Sequence, residues 1–251
     1  MFERFKKSLA WRLLPCADLR FNLPSGISFP IRTRQEARLF QEVMLAGIYA
    51  RLLDLLPPPR TLADIGCNAA FFTLLVEDRR RQRAPEQAPA RGLLLDANPD
   101  CVTRASRYLE MNRMAGFNEM VCGLIGRKGQ TMDFHVSSAD GHSSIFHQYC
   151  HRETLRLPSL DLERLLAAHF PNGIDLLKVD IEGAEKFLVE DWPGAVRRCR
   201  AVILEWHGFA WSWDEASLAF KDLGFEEKLV VRENENQSTA LFVRSGETSG
   251  Q

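Results

Sequence analysis

From residue 61 onward, short apolar runs alternate with longer amphipathic stretches. Residues 61–65, 91–95, 118–125, 174–179 and 201–204 are dense in Leu, Ile, Val and Ala. Runs that are apolar on both faces predict strands buried inside a parallel sheet. Residues 69–77, 100–114, 184–189 and 213–223 carry apolar side chains at helical spacing. Residues 225–231 and 239–243 flank a polar turn and predict a closing hairpin, which places one antiparallel strand at that end. Strands separated by helices predict an α/β fold, a mostly parallel sheet with helices on both faces.

The first part of the chain reads differently. Residues 18–32 alternate around Pro24-Ser25-Gly26 and predict a hairpin. Residues 34–56 then predict one helix through Ala37, Phe40, Val43, Met44, Ile48, Leu52 and Leu55, stopped by Pro57, Pro58 and Pro59. Residues 1–59 therefore read as a helix/hairpin/helix appendage on a main domain at 60–251. Two segments break the alternation. Residues 79–91, rich in Arg, Pro, Ala and Gln, read as a mobile surface loop. Residues 126–172 are too many for a plain connection and should carry their own structure on the substrate side.

Composition narrows the class. The chain has 251 residues, 45% of them hydrophobic, enough for a sizeable core. Lys+Arg is 32 against Asp+Glu 33, so no net field recruits nucleic acid or an anionic membrane. No apolar run is long enough to span a bilayer. The N-terminal residues read as an amphipathic helix packed on the domain, with peripheral membrane contact the lesser alternative. Six scattered cysteines without a CxxC pair read as reduced thiols in a cytoplasmic protein.

Four segments carry chemistry. Asp64-Ile65-Gly66-Cys67-Asn68-Ala69-Ala70 ends a strand in an acid, then turns on a glycine into a helix start, the ligand-facing end of an open α/β sheet. Taken alone it is also an ordinary strand-to-helix turn. Asp96-Ala97-Asn98-Pro99 puts a carboxylate at the end of the next strand, where it can accept from ribose hydroxyls or simply cap a helix. Asp64 and Asp96 are 32 positions apart; leaving out residues 79–91 brings them to 19 apart, near the ~20 usual for such a pair, so that loop reads as an insertion. Ile174-Asp175-Leu176-Leu177-Lys178-Val179-Asp180-Ile181-Glu182-Gly183-Ala184-Glu185 delivers three acids after a strand that contains a lysine. A buried ammonium needs a partner, and these acids are candidates. Glu185 also suits a helix N-terminus. Leu204-Glu205-Trp206-His207 ends a strand in an acid and an imidazole on one side.

These segments resemble the FkbM family of methyltransferases. The pattern D-[IV]-G-A-N-x-G is similar to Asp64 to Ala70, and the acidic-x-Asn-Pro element to Asp96 to Pro99. The distinctive I-D-x-x-K-[IV]-D-[IV]-E-G-x-E stretch, preceded by Leu-Asp, is similar to Ile174 to Glu185 after Leu160-Asp161. The likeness spans about residues 25–243. Two positions depart: Ala70 stands where a glycine is usual, which should crowd the backbone near the cofactor, and Asp96 where Glu is common.

The resemblance implies a Rossmann-like class I methyltransferase fold, with a seven-stranded sheet and S-adenosylmethionine as methyl donor. It implies a hydroxyl acceptor on a sugar, glycan, lipid or secondary metabolite. Asp64, Gly66, Cys67 and Asn68 are then expected by the methionine end of the cofactor, with Asp96, Ala97 and Asn98 by the ribose. Asp180 or Glu182 is expected nearest the acceptor, with His207 as the alternative base. His147, Cys150 and His151 have the i, i+3, i+4 spacing of a metal half-site, and Asp180 with Glu182 could hold Mg²⁺; the metal-free reading is preferred. The rivals are a nucleic-acid or protein methyltransferase, against which Asp180-Ile181-Glu182-Gly183 speaks by replacing the Pro-Pro-aromatic turn of amino-group DNA methylation, and a binding module without turnover.

Overall fold

The computed structural model describes residues 19–137, 143–146 and 151–246. The expected N-terminal helix, and His147 and Cys150 of the metal half-site, lie outside them.

The described chain opens with the expected hairpin, β1 (Leu19–Asn22) against β2 (Ser28–Ile31). Thr33 then caps α1 (Arg34–Phe40) in a reciprocal box with Glu36. The single helix expected to follow is broken. A π-helical turn at Gln41–Leu45 runs into Gly47, which adopts φ +74, and α2 (Ile48–Asp54) starts afresh. Apolar spacing alone does not reveal a left-handed residue, which only glycine adopts cheaply.

The main domain follows as β3 (Thr61–Ile65), α3 (Phe71–Arg83), β4 (Arg91–Asp96), α4 (Pro99–Met111) and β5 (Asn118–Cys122). Residues 79–83 of the expected loop are instead the end of α3. Arg80 is buried there because its guanidinium forks onto Glu77 at 2.7 and 2.9 Å. The long segment after β5 does carry its own structure, the hairpin β6 (Thr131–Ser137) with β7 (His151–Pro158), then α5 (Leu162–His169). β8 (Ile174–Val179), α6 (Glu185–Asp191), α7 (Pro193–Val196), β9 (Cys199–His207), α8 (Trp213–Asp222), β10 (Phe225–Asn234) and β11 (Gln237–Arg244) complete it.

The central sheet has seven strands in the order β10-β11-β9-β8-β3-β4-β5. β9, β8, β3, β4 and β5 run parallel, and β11 is antiparallel to both neighbours. The chain winds outward from β3 to β5, then crosses back to β8 on the other flank of β3. The crevice for a ligand opens at the carboxyl ends of the strands beside such a reversal.

Both faces of the sheet are covered. On one, Phe29 and Phe40 of the appendage pack with Phe71 and Tyr108 of α3 and α4, and Tyr49 and Leu52 of α2 join Phe72 and Leu62. Full burial of a side chain such as Phe29 contributes about 1.5–3 kcal/mol. Glu36 stitches this junction, accepting from the Tyr108 hydroxyl at 2.8 Å and from the Arg32 N–H at 2.7 Å. On the other face Trp192, Trp211, Phe220 and Phe242 close over the sheet, the last two stacked at 4.3 Å. No helix among the described residues is long and apolar enough to cross a membrane.

Candidate functional site

The strand ends beside the reversal open into one cavity with about 1240 Å³ of empty space, part of it open to solvent. Its wall falls into two halves along the sheet. The β3, β4 and β5 ends supply Gly66 to Ala69, Asp96, Ala97 and Gly123 to Ile125; the β8, β9 and β11 ends supply Lys178, Asp180, Glu182, Glu205 and Gln237. The appendage also lines the cavity, with Arg38, Leu39, Glu42, Val43 and Tyr49. From β4 to β9 is three strand spacings, about 14 Å at ~4.8 Å each.

Gly66 makes the first half possible. It turns at φ +74, and a Cβ there would sit 1.6 Å from the Asp180 carbonyl oxygen, so only glycine lets the β3 and β8 turns meet. Asn68 follows at φ +46, a left-handed conformation asparagine tolerates. Its N–H donates to one oxygen of Asp96 at 2.9 Å, and the Asn98 N–H donates to the other at 2.8 Å. Burial raises Asp96 to about 6 against the pull of those two donors. Ala70 does not line the cavity. It is fully buried at φ +58 and belongs to the hydrophobic cluster that holds Phe29 and Phe71.

In the second half the sequence's odd lysine finds its partners. Lys178 stands opposite Asp64 in the β3–β8 register. Its ammonium donates to the Gly66 carbonyl at 2.8 Å and to Asp180 at 3.2 Å, and lies 3.6 Å from Asp64. Burial opposes its charge, but Asp180 and Asp64 outweigh that and raise Lys178 above its ordinary value. Burial also raises Asp64, with Lys178 and the Thr73 hydroxyl pulling the other way. The remaining acids of the motif pair elsewhere. Glu185 is fully buried, accepting from the N–H groups of Ile181 and Gly183 and from His207 Nδ1 at 2.9 Å. Glu182 sits 3.5 Å from His207 Nε2 in a strained left-handed conformation, φ +52, and its carbonyl accepts from the Ser144 hydroxyl at 2.6 Å. The edges of Phe146 and Phe209 pack over Gly183, leaving no room for a Cβ.

The structure thus brings Gly66, Cys67, Asn68, Asp96, Ala97, Asp180 and Glu182 to one cavity. Asp64 lies behind the turn, Asn98 caps α4, and His207 is buried behind Glu182. Asp180, Glu185 and His207 also lie close enough to share a cation; Asp180 faces Lys178 and Glu185 faces His207, so each carboxylate already has a cationic neighbour. Tyr49 and Gln237 enter the wall without a motif to announce them. Tyr49 donates to Glu205 at 2.5 Å and Gln237 at 2.7 Å. Only the scarcity of tyrosine, three in the chain, set Tyr49 apart in the sequence.

Burial works against charge on His207, but Glu185, then Glu182 and Asp180, raise it to about 10. A proton held more tightly in the folded state stabilises the fold fully below the unfolded value near 6.5, and that stabilisation fades as pH rises through about 10. Urea unfolding of the wild type is expected to weaken from pH 7 to 10.5 more steeply than that of His207→Gln. Parallel pH profiles would refute the charged histidine.

The wall fits S-adenosylmethionine by its donor set. An ionised carboxylate has about four acceptor sites; the two N–H donors leave Asp96 able to take two ribose hydroxyls. α3 begins at Ala70 without a side-chain cap, and Ala69, Phe71 and Phe72 of that start line the cavity, a setting for a carboxylate. The acids of the second half suit a cation.

Comparison with known proteins agrees with this geometry. The methyltransferase sdnD of Sordaria araneosa is 26% identical over 211 residues, covering 65% of this chain and 79% of that protein. An O-methyltransferase from Bacillus cereus, solved in complex with S-adenosylhomocysteine, shares the fold at 12% identity with a TM-score of 0.50, covering 84% of this chain and 87% of that one. The Methyltransferase FkbM domain matches residues 64–227, from Asp64, the next-to-last residue of β3, into β10. With Asp96, the Lys178–Asp180 turn and the strands β4, β5, β8 and β9 inside that match, the chain belongs to the FkbM family of S-adenosylmethionine-dependent methyltransferases.

Proposed function

We propose that the enzyme methylates a hydroxyl oxygen on a cytoplasmic small molecule, sugar, glycan or lipid. The observation that carries this reading is the division of the cavity. Asp96 on β4 stands ready for a nucleoside, while Asp180 and Glu182 line the same cavity about two strands away, which leaves them free to serve the acceptor in this reading. Gly66, Cys67, Asn68, Asp96 and Ala97 hold the cofactor; Asp64 and Asn98 stiffen the turns behind them. S-adenosylmethionine supplies an electrophilic methyl group when bound. The protein then contributes alignment and a proton acceptor, and alignment alone is worth up to about 7–11 kcal/mol. In this reading Asp180 would accept the hydroxyl proton as the acceptor oxygen takes the methyl group from sulfur, the sulfur–methyl bond breaking to leave the thioether. Lys178 keeps that carboxylate in place. His207, buried and charged, positions Glu182 and leaves base chemistry to the carboxylates.

Calorimetric titration with S-adenosylmethionine and S-adenosylhomocysteine tests the cofactor half. Asp96→Ala is expected to weaken both by about 10–100-fold, the worth of hydrogen bonds to a charged group. Release of S-adenosylhomocysteine in a screen of hydroxylated and aminated acceptors tests the rest. Turnover confined to amines would overturn O-methylation.

A further inference from the structure

The turn between β8 and α6 carries Asp180 and Glu182, and its backbone is held from three sides. From β3, the Ile65 carbonyl accepts from the Asp180 N–H at 3.0 Å. From α6, one oxygen of Glu185 accepts from the Ile181 and Gly183 N–H groups at 3.0 and 3.1 Å. From the connection between β6 and β7, the Ser144 hydroxyl donates to the Glu182 carbonyl at 2.6 Å, across 38 positions of sequence. That hydroxyl also accepts from the Phe146 N–H at 3.0 Å, which leaves its own proton for the carbonyl. The neighbouring serine behaves differently. The Ser143 hydroxyl accepts from the Ser137 N–H, inside its own hairpin. Ser144 is buried, and its backbone is fixed by two bonds with His135, one in each direction, at 2.8 and 3.1 Å. Ser143 and Ile145, on either side of it, line the cavity.

Between these clamps Glu182 stands at φ +52. A left-handed residue other than glycine is strained and persists only where its surroundings over-determine it, and such residues cluster at active sites. The backbone angle also decides where Cβ points, and so where the carboxylate goes. Held left-handed, Glu182 lines the cavity with its carboxylate 3.5 Å from His207 Nε2. Relaxed to a negative φ, the side chain would leave the backbone in another direction. Gly183 follows at φ +99, and a Cβ there would stand 2.4 Å from the ring of Phe209 and 2.8 Å from that of Phe146, two residues beyond Ser144. The same connection therefore touches this turn twice, by a hydroxyl at Glu182 and by a ring at Gly183.

We propose that Ser144 is a positioning residue for methyl transfer: its hydroxyl holds Glu182 in the left-handed conformation and so keeps that carboxylate on the acceptor side of the cavity. This rests on the reading that Asp180 and Glu182 serve the acceptor. The connection between β6 and β7 is then more than a wall. Through Ser143 and Ile145 it bounds the space in which the acceptor lies, and through Ser144 it sets the geometry of the acid beside that space.

The test is a double-mutant cycle on the full chain, read by single-turnover kinetics with the acceptor found by screening. Ser144→Ala is expected to lower turnover about 3–10-fold, the worth of one hydrogen bond. Its KM for S-adenosylmethionine and its affinity for S-adenosylhomocysteine should stay within about twofold of wild type, which also reports intact folding. Glu182→Gln should itself lower turnover, and Ser144→Ala added to it should cost less than about twofold more, because the hydroxyl acts through a carboxylate already lost. Urea unfolding supplies a reading independent of activity. Glu182→Gly should be more stable than Glu182→Ala, the order expected only where the backbone is left-handed. Unchanged turnover in Ser144→Ala, an equal fall in both backgrounds, a parallel loss of S-adenosylhomocysteine affinity, or the alanine variant proving the more stable would each overturn the inference and leave the acceptor-side acids in place. Full turnover in Glu182→Gln would instead remove Glu182 from the acceptor reading, and this inference with it.

Discussion

Lys178→Met should lower the unfolding free energy by about 3–5 kcal/mol, the cost of leaving a buried charge without its partner. Asp64 is fully buried, Lys178 is its cationic neighbour at 3.6 Å, and one of its oxygens already lacks a hydrogen-bond partner among the described residues. The methionine keeps the length of the side chain, so the loss comes from charge and from the Gly66 carbonyl rather than from volume. Urea unfolding at neutral pH reads this directly. The double variant Lys178→Met, Asp64→Asn should recover much of the loss, because the orphaned charge is gone. A single variant within about 1 kcal/mol of wild type would show that the ammonium is not what stabilises this turn.

Asp180→Asn carries the second large effect. The amide oxygen can still accept from Lys178, so the turn should survive, but the proton acceptor is lost. General base catalysis typically contributes 10²–10⁴-fold, and turnover with the acceptor found by screening should fall by about that factor. Affinity for S-adenosylhomocysteine should change by less than about threefold, because no cofactor contact is assigned to this side chain. Single-turnover kinetics and calorimetry on one preparation separate the two. Unchanged turnover would move the base to Glu182.

The outline of this fold could be read because the parallel strands are buried on both faces and therefore nearly uninterrupted in apolar residues. β3 and β8 fall at the positions expected. The errors have local causes. The helix at 34–56 breaks at Gly47, where a left-handed turn costs glycine nothing and leaves the apolar spacing intact. Residues 84–90 are irregular as expected of the polar run at 79–91, but 79–83 extend α3 because Arg80 and Arg81 are neutralised within the helix by Glu77. The site divides in the same way. Gly66, Asp96, Asp180 and Glu182 are legible because each follows a strand in a compact motif. Tyr49 and Gln237 are not, since they reach Glu205 across separations of 156 and 32 residues, and nothing local marks them.

The place of β11 in the sheet has a consequence for how the protein is made. It lies between β9 and β10, both of which leave the ribosome before it. Until residues 237–244 emerge, β9 presents an open edge on one side and β10 has no strand to pair with. The half of the crevice that holds Asp96 can assemble while synthesis continues, whereas the half that holds Glu205 waits for Gln237. A nascent chain paused after β10 would thus have a formed nucleoside crevice beside an unfinished acceptor wall, with an apolar strand edge exposed to chaperones.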